Sequence, residues 1–207
     1  MSSGAVGSDA HLDLGCGDAP RNPYGRARLC GVDLRGTGGA PFHDFRIANL
    51  SVEPIPYPDD SFASVSAFDF IEHVPRILPT PDGRGTRAPF IELMNEIWRV
   101  LAPGGRLYAL TPAYPRPEAF QDPTHVNVIS DRTHEYFCGP VPQGRMYGFA
   151  GAFDVLRAEW AALPEAFSAE APAMSWKRAH KHRRNLRLGR LSHFLWELQA
   201  RKPAAGP

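Results

Sequence analysis

The chain has 207 residues, of which 43% are hydrophobic and 22% charged, and its formal net charge is +1. These are ordinary globular values, so composition alone indicates no function. Cys16, Cys30 and Cys138 are too few and too scattered for a disulfide framework or a zinc site, which favours a reducing compartment. No basic segment precedes an apolar run at the N-terminus, and no apolar run is long enough to cross a bilayer. We therefore expect a cytoplasmic protein.

The first part of the chain predicts four strands with little helix between them. Residues 1–9 are small and polar, and we expect them to be disordered. Two prolines and a glycine within residues 18–28 make the first crossover helix short or irregular. Three prolines within residues 54–58 enforce an extended segment. The predicted strands cover residues 11–14, 29–34, 42–47 and 64–68.

The second part predicts a helix, a strand and a terminal hairpin. Apolar residues recur at helical spacing from Phe90 to Leu101, and Pro103 with the two following glycines ends this amphipathic helix. Residues 106–110 form the next strand. Apolar and polar residues alternate over 193–200, which favours a strand that pairs antiparallel with residues 153–160, although leucines in this region also suit a helix. The whole pattern predicts a mostly parallel, doubly wound α/β sheet that is covered on both faces.

The most informative pattern is an apolar strand that runs into a glycine turn, Leu-Asp-Leu-Gly-Cys-Gly at residues 12–17. A second apolar strand ends on Asp33, roughly 20 residues after the turn. This spacing is typical of a βαβ unit that holds an adenosine-containing ligand at the carboxyl ends of its strands. Glycines let the backbone approach the ligand, and the carboxylate of Asp33 can accept hydrogen bonds from both ribose hydroxyls.

Five short motifs follow one another along the chain: LDLGCG at 12–17, GVDL at 31–34, PIPYPDDSF at 54–62, FDFIEHV at 68–74 and EIWRVLAPGGRLY at 96–108. In this order and spacing they resemble the class I S-adenosylmethionine-dependent methyltransferases that have a type 11 methyltransferase domain. The resemblance covers approximately residues 10–115, and a looser similarity extends to QDPTHVNVISD at 121–131. It implies a Rossmann-like methyltransferase fold over residues 10–207, with a seven-stranded sheet whose last strand is antiparallel. It also implies S-adenosyl-L-methionine as the cofactor.

The resemblance further implies the position of the cofactor. Residues 13–17 would shape the loop that holds the methionine part, and Asp33 would take the ribose hydroxyls. Asp44, at the end of the third strand, would contact the adenine amino group, while Phe68 and Asp69 would lie near the methionyl group or the reacting methyl. The implied cofactor-binding residues are Asp13, Gly15, Cys16, Gly17, Asp33, Leu34, Asp44, Phe68 and Asp69.

Structural alternatives stay open for several of these residues. The glycines could serve only to form a tight turn. Asp33 could cap a helix, and Asp44 could be a turn residue. Pro20 follows the place of the third glycine, which is Ala19, and disfavours the clean helix start that a dinucleotide pyrophosphate needs. A cofactor without phosphates fits this turn better than a dinucleotide does.

The loop after residues 106–110 is the expected place of acceptor chemistry. His125 is the first candidate for a general base, and Asp122 is expected to orient it. A hydrogen bond that only fixes the loop is the alternative role for His125. Glu72 and His73 are better explained as stabilising the start of the next helix than as contacting the substrate, so His73 is a weaker catalytic candidate. We predict no metal, although Asp122, His125, Asp131 and His134 offer suitable ligand types.

A basic stretch near the C-terminus is predicted to be a solvated loop within residues 165–190. Attraction to an acidic substrate or a phospholipid surface is the alternative. The nucleic-acid signal is not strong, because few aromatic residues are interleaved with the cations. The stretch contains Lys177, Arg178, Lys181, Arg183, Arg184, Arg187 and Arg190.

Together these patterns predict an S-adenosylmethionine-dependent methyltransferase that O-methylates a hydroxyl of a small molecule, sugar or glycan. No single residue is obligatory for methyl transfer, so the sequence does not fix the acceptor. A non-catalytic methyltransferase-like binding subunit stays open as an alternative, because helices that often precede the first strand in the family are lacking. A methyltransferase that acts on a protein or RNA is the other alternative.

Overall fold

The computed structural model describes residues 9–163, 165–170 and 175–202, so most of the predicted disordered segment 1–9 lies outside the described residues. Seven strands form one sheet in the order β3-β2-β1-β4-β5-β7-β6. Strand β7 runs antiparallel to both of its neighbours, and the first five strands are parallel, as predicted. The strands are β1 Ala10–Leu14, β2 Arg28–Asp33, β3 Asp44–Ile47, β4 Phe62–Phe68, β5 Leu101–Pro112, β6 Phe153–Ala161 and β7 His193–Ala200.

Apolar side chains cover both faces of this sheet. Successive residues of a strand point to opposite faces, so β5 and β7 contribute to two separate apolar clusters. Leu107 and Trp196 belong to the larger cluster, whereas Tyr108 and Leu195 belong to the smaller one. The strand interpretation of the C-terminal residues is therefore confirmed, and the helical alternative for them is wrong.

Helix α1, Pro89–Val100, packs on the face of the larger cluster. A proline in its first turn suits the helix start, because its missing N–H has no helical partner there. Phe90, Leu93, Met94 and Ile97 are buried at helical spacing, which confirms the predicted amphipathic helix. Strand β5 starts directly after the helix, at Leu101 rather than at residue 106.

The connections between the first four strands contain no α-helix, although residues 15–27, 34–43 and 48–61 all lie within the described ranges. The irregular first crossover is thus as predicted. Helix α2, Glu118–Gln121, is a single short turn in the loop after β5. None of the helices in the described ranges combines the length and the apolar character that a bilayer crossing requires.

The basic stretch forms a helix, so its interpretation as a loop was wrong. Helix α3 spans Trp176–Arg187, and the Ser175 hydroxyl at its start accepts a hydrogen bond from the N–H of Arg178. Lysine, arginine, alanine and leucine are good helix formers, and neither glycine nor proline occurs from Trp176 to Leu188. This local propensity was the signal that an interpretation based on charge overlooked.

Candidate functional site

The glycine turn after β1 lies at the carboxyl edge of the sheet. Gly15 and Gly17 have φ angles of +64° and +49°, in the left-handed region that favours glycine. A Cβ atom on Gly15 would lie only 2.9 Å from Cγ of Phe70, whereas one on Gly17 would meet no heavy atom of the described residues within 4 Å. Gly15 is therefore packed under Phe70, and the backbone at Gly17 borders open space.

Asp33 ends β2 beside this open space. One carboxylate oxygen accepts a hydrogen bond from the N–H of Gly17 at 2.9 Å, and the other accepts one from the N–H of Arg35 at 3.0 Å. Two backbone amides thus orient the carboxylate, and each oxygen retains a lone pair for a further donor. Leu34 follows Asp33 with a largely exposed side chain.

Asp13 shapes the turn from beneath, because its carboxylate is buried. Its Oδ2 accepts a hydrogen bond from the N–H of Arg21 at 2.7 Å, and its Oδ1 accepts one from the hydroxyl of Ser66 at 2.5 Å. The hydroxyl of Ser66 is 2.8 Å from Nε2 of His11, whose Nδ1 is 2.8 Å from the hydroxyl of Ser64. Burial raises the pKa of Asp13 to about 7 and lowers that of His11 to about 3. We call these four side chains (His11, Asp13, Ser64 and Ser66) the buried polar network.

Cys16 is also part of the packing of the turn. Its side chain is buried, and its Sγ donates a weak hydrogen bond to the carbonyl of Val32 at 3.7 Å. Burial raises the pKa of the thiol to about 12. The thiol therefore holds the turn against β2 and does not supply a thiolate.

Asp44 does not lie at the carboxyl edge, so its predicted contact with the adenine amino group is wrong. It is the first residue of β3 and pairs with Cys30, whereas Ile47 is the residue level with Asp33. A separation of three residues along a strand is roughly 10 Å. The first polar residue beyond β3 at that edge is Asn49, which the sequence interpretation did not consider, although the predicted strand 42–47 ends at the same residue as β3.

The end of β4 holds a backbone turn at Asp69. This residue has a φ angle of +47°, and its N–H donates to the carbonyl of Leu110 at 2.9 Å. Its exposed carboxylate lies 2.8 Å from Nε2 of His193, a residue that sequence reasoning did not single out. The preceding Phe68 packs in the smaller apolar cluster, with its ring centroid 5.7 Å from that of Tyr108. Asp69 therefore faces the edge, and the side chain of Phe68 lies under it.

Three chemistry-bearing side chains meet beside this turn. Glu72 and His73 come from the short 3-10 turn after β4, and His125 comes from the loop after β5. The ring centroids of the two histidines are 4.8 Å apart, and Nε2 of His125 lies 4.0 Å from Oε1 of Glu72. Burial raises the pKa of Glu72 to about 7. We call Glu72, His73 and His125 the histidine cluster.

Asp122 does not orient His125, contrary to the sequence-based expectation. Its Oδ1 accepts hydrogen bonds from the N–H and the hydroxyl of Thr124, at 2.8 Å and 2.6 Å. His125 is held instead through Nδ1, which is 3.2 Å from the carbonyl of Ala119. Glu72 is the carboxylate next to His125, and no sequence spacing reveals this long-range pair.

The four residues considered as metal ligands do not gather. His134 is buried, and its ring packs against those of Phe194 and Trp196, with centroids about 6 Å away. Burial lowers the pKa of His134. Among the described residues, one group of three or more His, Cys, Asp or Glu side chains has candidate ligand atoms close enough together to hold an ion. This group is the histidine cluster.

A cavity of about 600 Å³ is lined by residues of the two segments that carry the histidine cluster. Arg76, three residues after His73, lines it and donates at 2.7 Å to the side chain of Asn127, two residues after His125. The start of α1 and the segments after β5 supply most of the wall, which is largely apolar. Its aromatic lining consists of Phe90, Tyr114, Tyr136, Phe137 and Tyr147.

The strand order, the single antiparallel strand and the edge formed by Gly17, Asp33 and Asp69 define the class I methyltransferase fold. Comparison with solved structures agrees with this class. A Haloferax volcanii methyltransferase, solved in complex with the Trm112 methyltransferase activator, is 16% identical with a TM-score of 0.56, over 94% of this chain and 84% of that one. A SAM-dependent methyltransferase from Archaeoglobus fulgidus is 15% identical with a TM-score of 0.52, over 94% and 87% of the two chains. Geranyl diphosphate methyltransferase, solved with SAM, is 16% identical with a TM-score of 0.50, over 97% and 81%.

Sequence comparison adds the family. Residues 12–109 match the family model described as a methyltransferase domain. The search among curated proteins finds no significant match. At the identities given above, the solved structures show a shared fold, and the family match covers the motifs from the glycine turn to β5. Residues 12–109, slightly under half of the chain, match the methyltransferase-domain family, and the chain has the fold of the class I S-adenosylmethionine-dependent methyltransferases.

Proposed function

We propose that this methyltransferase transfers its methyl group to a hydroxyl of a small molecule, sugar or glycan. The observation that carries the proposal is the histidine cluster, which lies three residues beyond Asp69 at the carboxyl edge. A hydroxyl acceptor benefits from a general base, and imidazole suits this work near neutral pH. An amine or thiolate acceptor would have less need of such a cluster.

The residues at the edge fit the cofactor of the family. S-adenosylmethionine supplies a methyl group on a sulfonium, which is already a good leaving group. The backbone at Gly17 borders open space, and the oriented carboxylate of Asp33 suits two ribose hydroxyls. The chain therefore mainly has to hold the acceptor oxygen in line with the methyl carbon and the sulfur. Positioning of this kind lowers the activation free energy by several kcal/mol.

The hydrogen bonds of the two histidines define where a proton goes. Nδ1 of His125 faces the carbonyl of Ala119, and Nδ1 of His73 faces the carbonyl and hydroxyl of Thr124 at 3.3 Å and 3.0 Å. In each ring the proton stays on Nδ1, and Nε2 is the nitrogen that remains to accept one. When the acceptor oxygen takes the methyl group from the sulfonium of the cofactor, Nε2 of His73 or of His125 would receive the hydroxyl proton.

The apolar cavity favours an acceptor with an apolar or ring-shaped body. Its aromatic walls give large contact area, and Arg76 and Arg132 supply cationic groups at its lining. A structural neighbour is named geranyl diphosphate methyltransferase, and geranyl diphosphate joins an apolar chain to an anionic group. We propose that the acceptor body lies in this cavity, with its hydroxyl toward the histidine cluster.

Methyl transfer from labelled S-adenosylmethionine to a panel of hydroxylated acceptors tests the proposal. With a productive acceptor, His125→Ala should lower turnover by roughly 100-fold or more, as expected for loss of a general base. His180→Ala, at an exposed position of α3, is the matched control and should leave turnover unchanged. Turnover of His125→Ala within a few-fold of the native rate would remove His125 from the mechanism.

A partner-dependent enzyme is the second candidate. The Haloferax volcanii methyltransferase was solved with an activator protein, so this fold is compatible with an activating subunit. In that case, the isolated chain binds S-adenosylhomocysteine but methylates no acceptor until a second protein is added. Turnover by the isolated chain would exclude this candidate.

A further inference from the structure

The histidine cluster has the composition of a metal site with open positions. Two imidazole nitrogens and one carboxylate oxygen suit a divalent transition-metal ion, with further positions left for water or substrate. The three candidate ligand atoms lie within 4.8 Å of one another. Each ligand atom lies about 2.0–2.1 Å from a bound ion, which places the ligand atoms about 3–3.5 Å from one another. The ligand atoms of the cluster therefore need to move closer together by roughly 1 Å when an ion binds.

Each candidate ligand is anchored through its other polar atom. The carbonyl of Ala119 holds Nδ1 of His125, Thr124 holds Nδ1 of His73, and the hydroxyl of Thr111 donates to Oε2 of Glu72 at 2.8 Å. Metal-binding histidines usually donate their second ring N–H to a carbonyl or carboxylate in this manner, which fixes the tautomer and the ring orientation. The anchors leave Nε2, Nε2 and Oε1 as the atoms that remain for an ion.

The carboxylate of Glu72 supplies an independent indication of a ligand. Its side chain is 1% exposed, and Oε1 has no hydrogen-bond partner among the described residues. Buried polar atoms are almost always paired, so an orphaned carboxylate oxygen that faces a histidine 4.0 Å away indicates a missing partner. The side chain of His125 is 9% exposed, whereas His73 is half-buried, so an ion would reach the cluster from solvent beside His73.

We propose that Glu72, His73 and His125 bind one divalent transition-metal ion at the carboxyl edge of the sheet. An ion bound there would lower the pKa of a coordinated acceptor hydroxyl. With Nε2 of both histidines bound to the ion, the hydroxyl proton would pass to solvent, so in the metal-bound enzyme the histidines would be ligands and not the general base. This role rests on the proposed function, but binding of the ion does not depend on it.

Cobalt(II) titration of the untagged, chelator-treated full chain tests the site. We expect one equivalent of Co²⁺ to bind, with visible absorption bands that Zn²⁺ abolishes by competition. Glu72→Gln, His73→Ala and His125→Ala should each weaken Co²⁺ affinity at least about 100-fold. His180→Ala is the matched control, because this histidine lies on the exposed helix α3, and it should bind Co²⁺ like the native chain.

The fold of each variant is checked by its affinity for S-adenosylhomocysteine, which should stay within a few-fold of the native value. Absence of the absorption bands in the native chain, or native affinity in His125→Ala, would overturn the metal site. Anomalous scattering at the cobalt edge from native crystals needs no variant. A peak between the three side chains supports the site, and a peak elsewhere, or none, overturns it.

Failure of the metal site and failure of the proposed function give different results. A chain that methylates hydroxyls but binds no Co²⁺ retains its proposed function and loses the metal. A chain that binds Co²⁺ at the cluster but methylates only amines or thiols retains the metal site and loses O-methylation.

Discussion

Nε2 of His193 lies 2.8 Å from Oδ1 of Asp69. The first residue of the antiparallel strand β7 is thus tied to the turn that ends β4, across the intervening strand β5. Asp69 also has a φ angle of +47°, which is unfavourable for a residue with a Cβ atom unless it is held in place. The turn at the carboxyl edge is therefore held by the hairpin at the far end of the chain.

Substitution of Asp69 separates backbone strain from the contact with His193. Asp69→Gly and Asp69→Ala both remove the carboxylate, but only glycine adopts the positive φ angle without strain. We expect the alanine variant to be less stable than the glycine variant by about 1 kcal/mol. Urea unfolding of the two variants measures this difference. Equal stabilities would show that the turn relaxes when the carboxylate is lost.

The two glycines of the turn should respond differently to alanine. Both substitutions place a Cβ atom at positive φ, but only the one at Gly15 collides with Phe70. We therefore expect Gly15→Ala to lose about 1–3 kcal/mol more stability than Gly17→Ala. The double variant Gly15→Ala, Phe70→Ala should show a favourable coupling energy in denaturant unfolding. Purely additive losses would argue against the collision.

Much of the cofactor edge was predictable because it depends on local patterns. Glycine at positions 15 and 17 and an acid at the end of the next strand are short-range signals, and parallel strands bring their carboxyl ends together. Asp44 was misplaced because the family resemblance assigned it to the carboxyl edge, although it lies inside the predicted strand 42–47 and is the first residue of β3.

The histidine cluster was only half visible in the sequence. His73 and His125 belong to separate motifs and were considered separately. Their meeting depends on long-range contacts, such as the N–H groups of Val126 and Asn127, which donate to the carbonyl of Glu72 at 3.0 Å and 2.9 Å. No spacing along the chain encodes such a contact, so Asp122, the nearest acid in sequence, was the wrong partner.

The buried polar network should give stability two opposing pH dependences. The pKa of His11 is lowered to about 3 in the folded chain, so between about pH 3 and 6.5 the unfolded chain binds more protons at His11 than the folded chain does. The free energy of unfolding therefore rises with pH over this range. The pKa of Asp13 is raised to about 7 in the folded chain, so between about pH 4 and 7 the folded chain binds more protons at Asp13 than the unfolded chain does. The free energy of unfolding therefore falls as the pH rises over this range. In the native chain these slopes largely oppose each other.

Removal of one member of the network should reveal the slope of the other. In a Glu72→Gln background, which removes the other carboxyl group whose pKa is raised to about 7, Asp13→Asn should become more stable as the pH rises from 4 to 6.5, and His11→Gln should become less stable as it rises from 4 to 7. The changes should be on the order of 3–4 kcal/mol, measured by urea unfolding at a series of pH values. Slopes of the same sign in the two variants would contradict this assignment of protons.

We propose that the turn at residues 15–17 and Asp33 bind the adenosyl cofactor. Calorimetric titration of the full chain with S-adenosylhomocysteine tests it most directly, with Asp33→Ala as the variant and Asp18→Ala as a nearby control. We expect one equivalent to bind the native chain, affinity at least about 10-fold lower in Asp33→Ala because two hydroxyl contacts are lost, and near-native affinity in Asp18→Ala. Absence of binding by the native chain, or native affinity in Asp33→Ala, would contradict the claim.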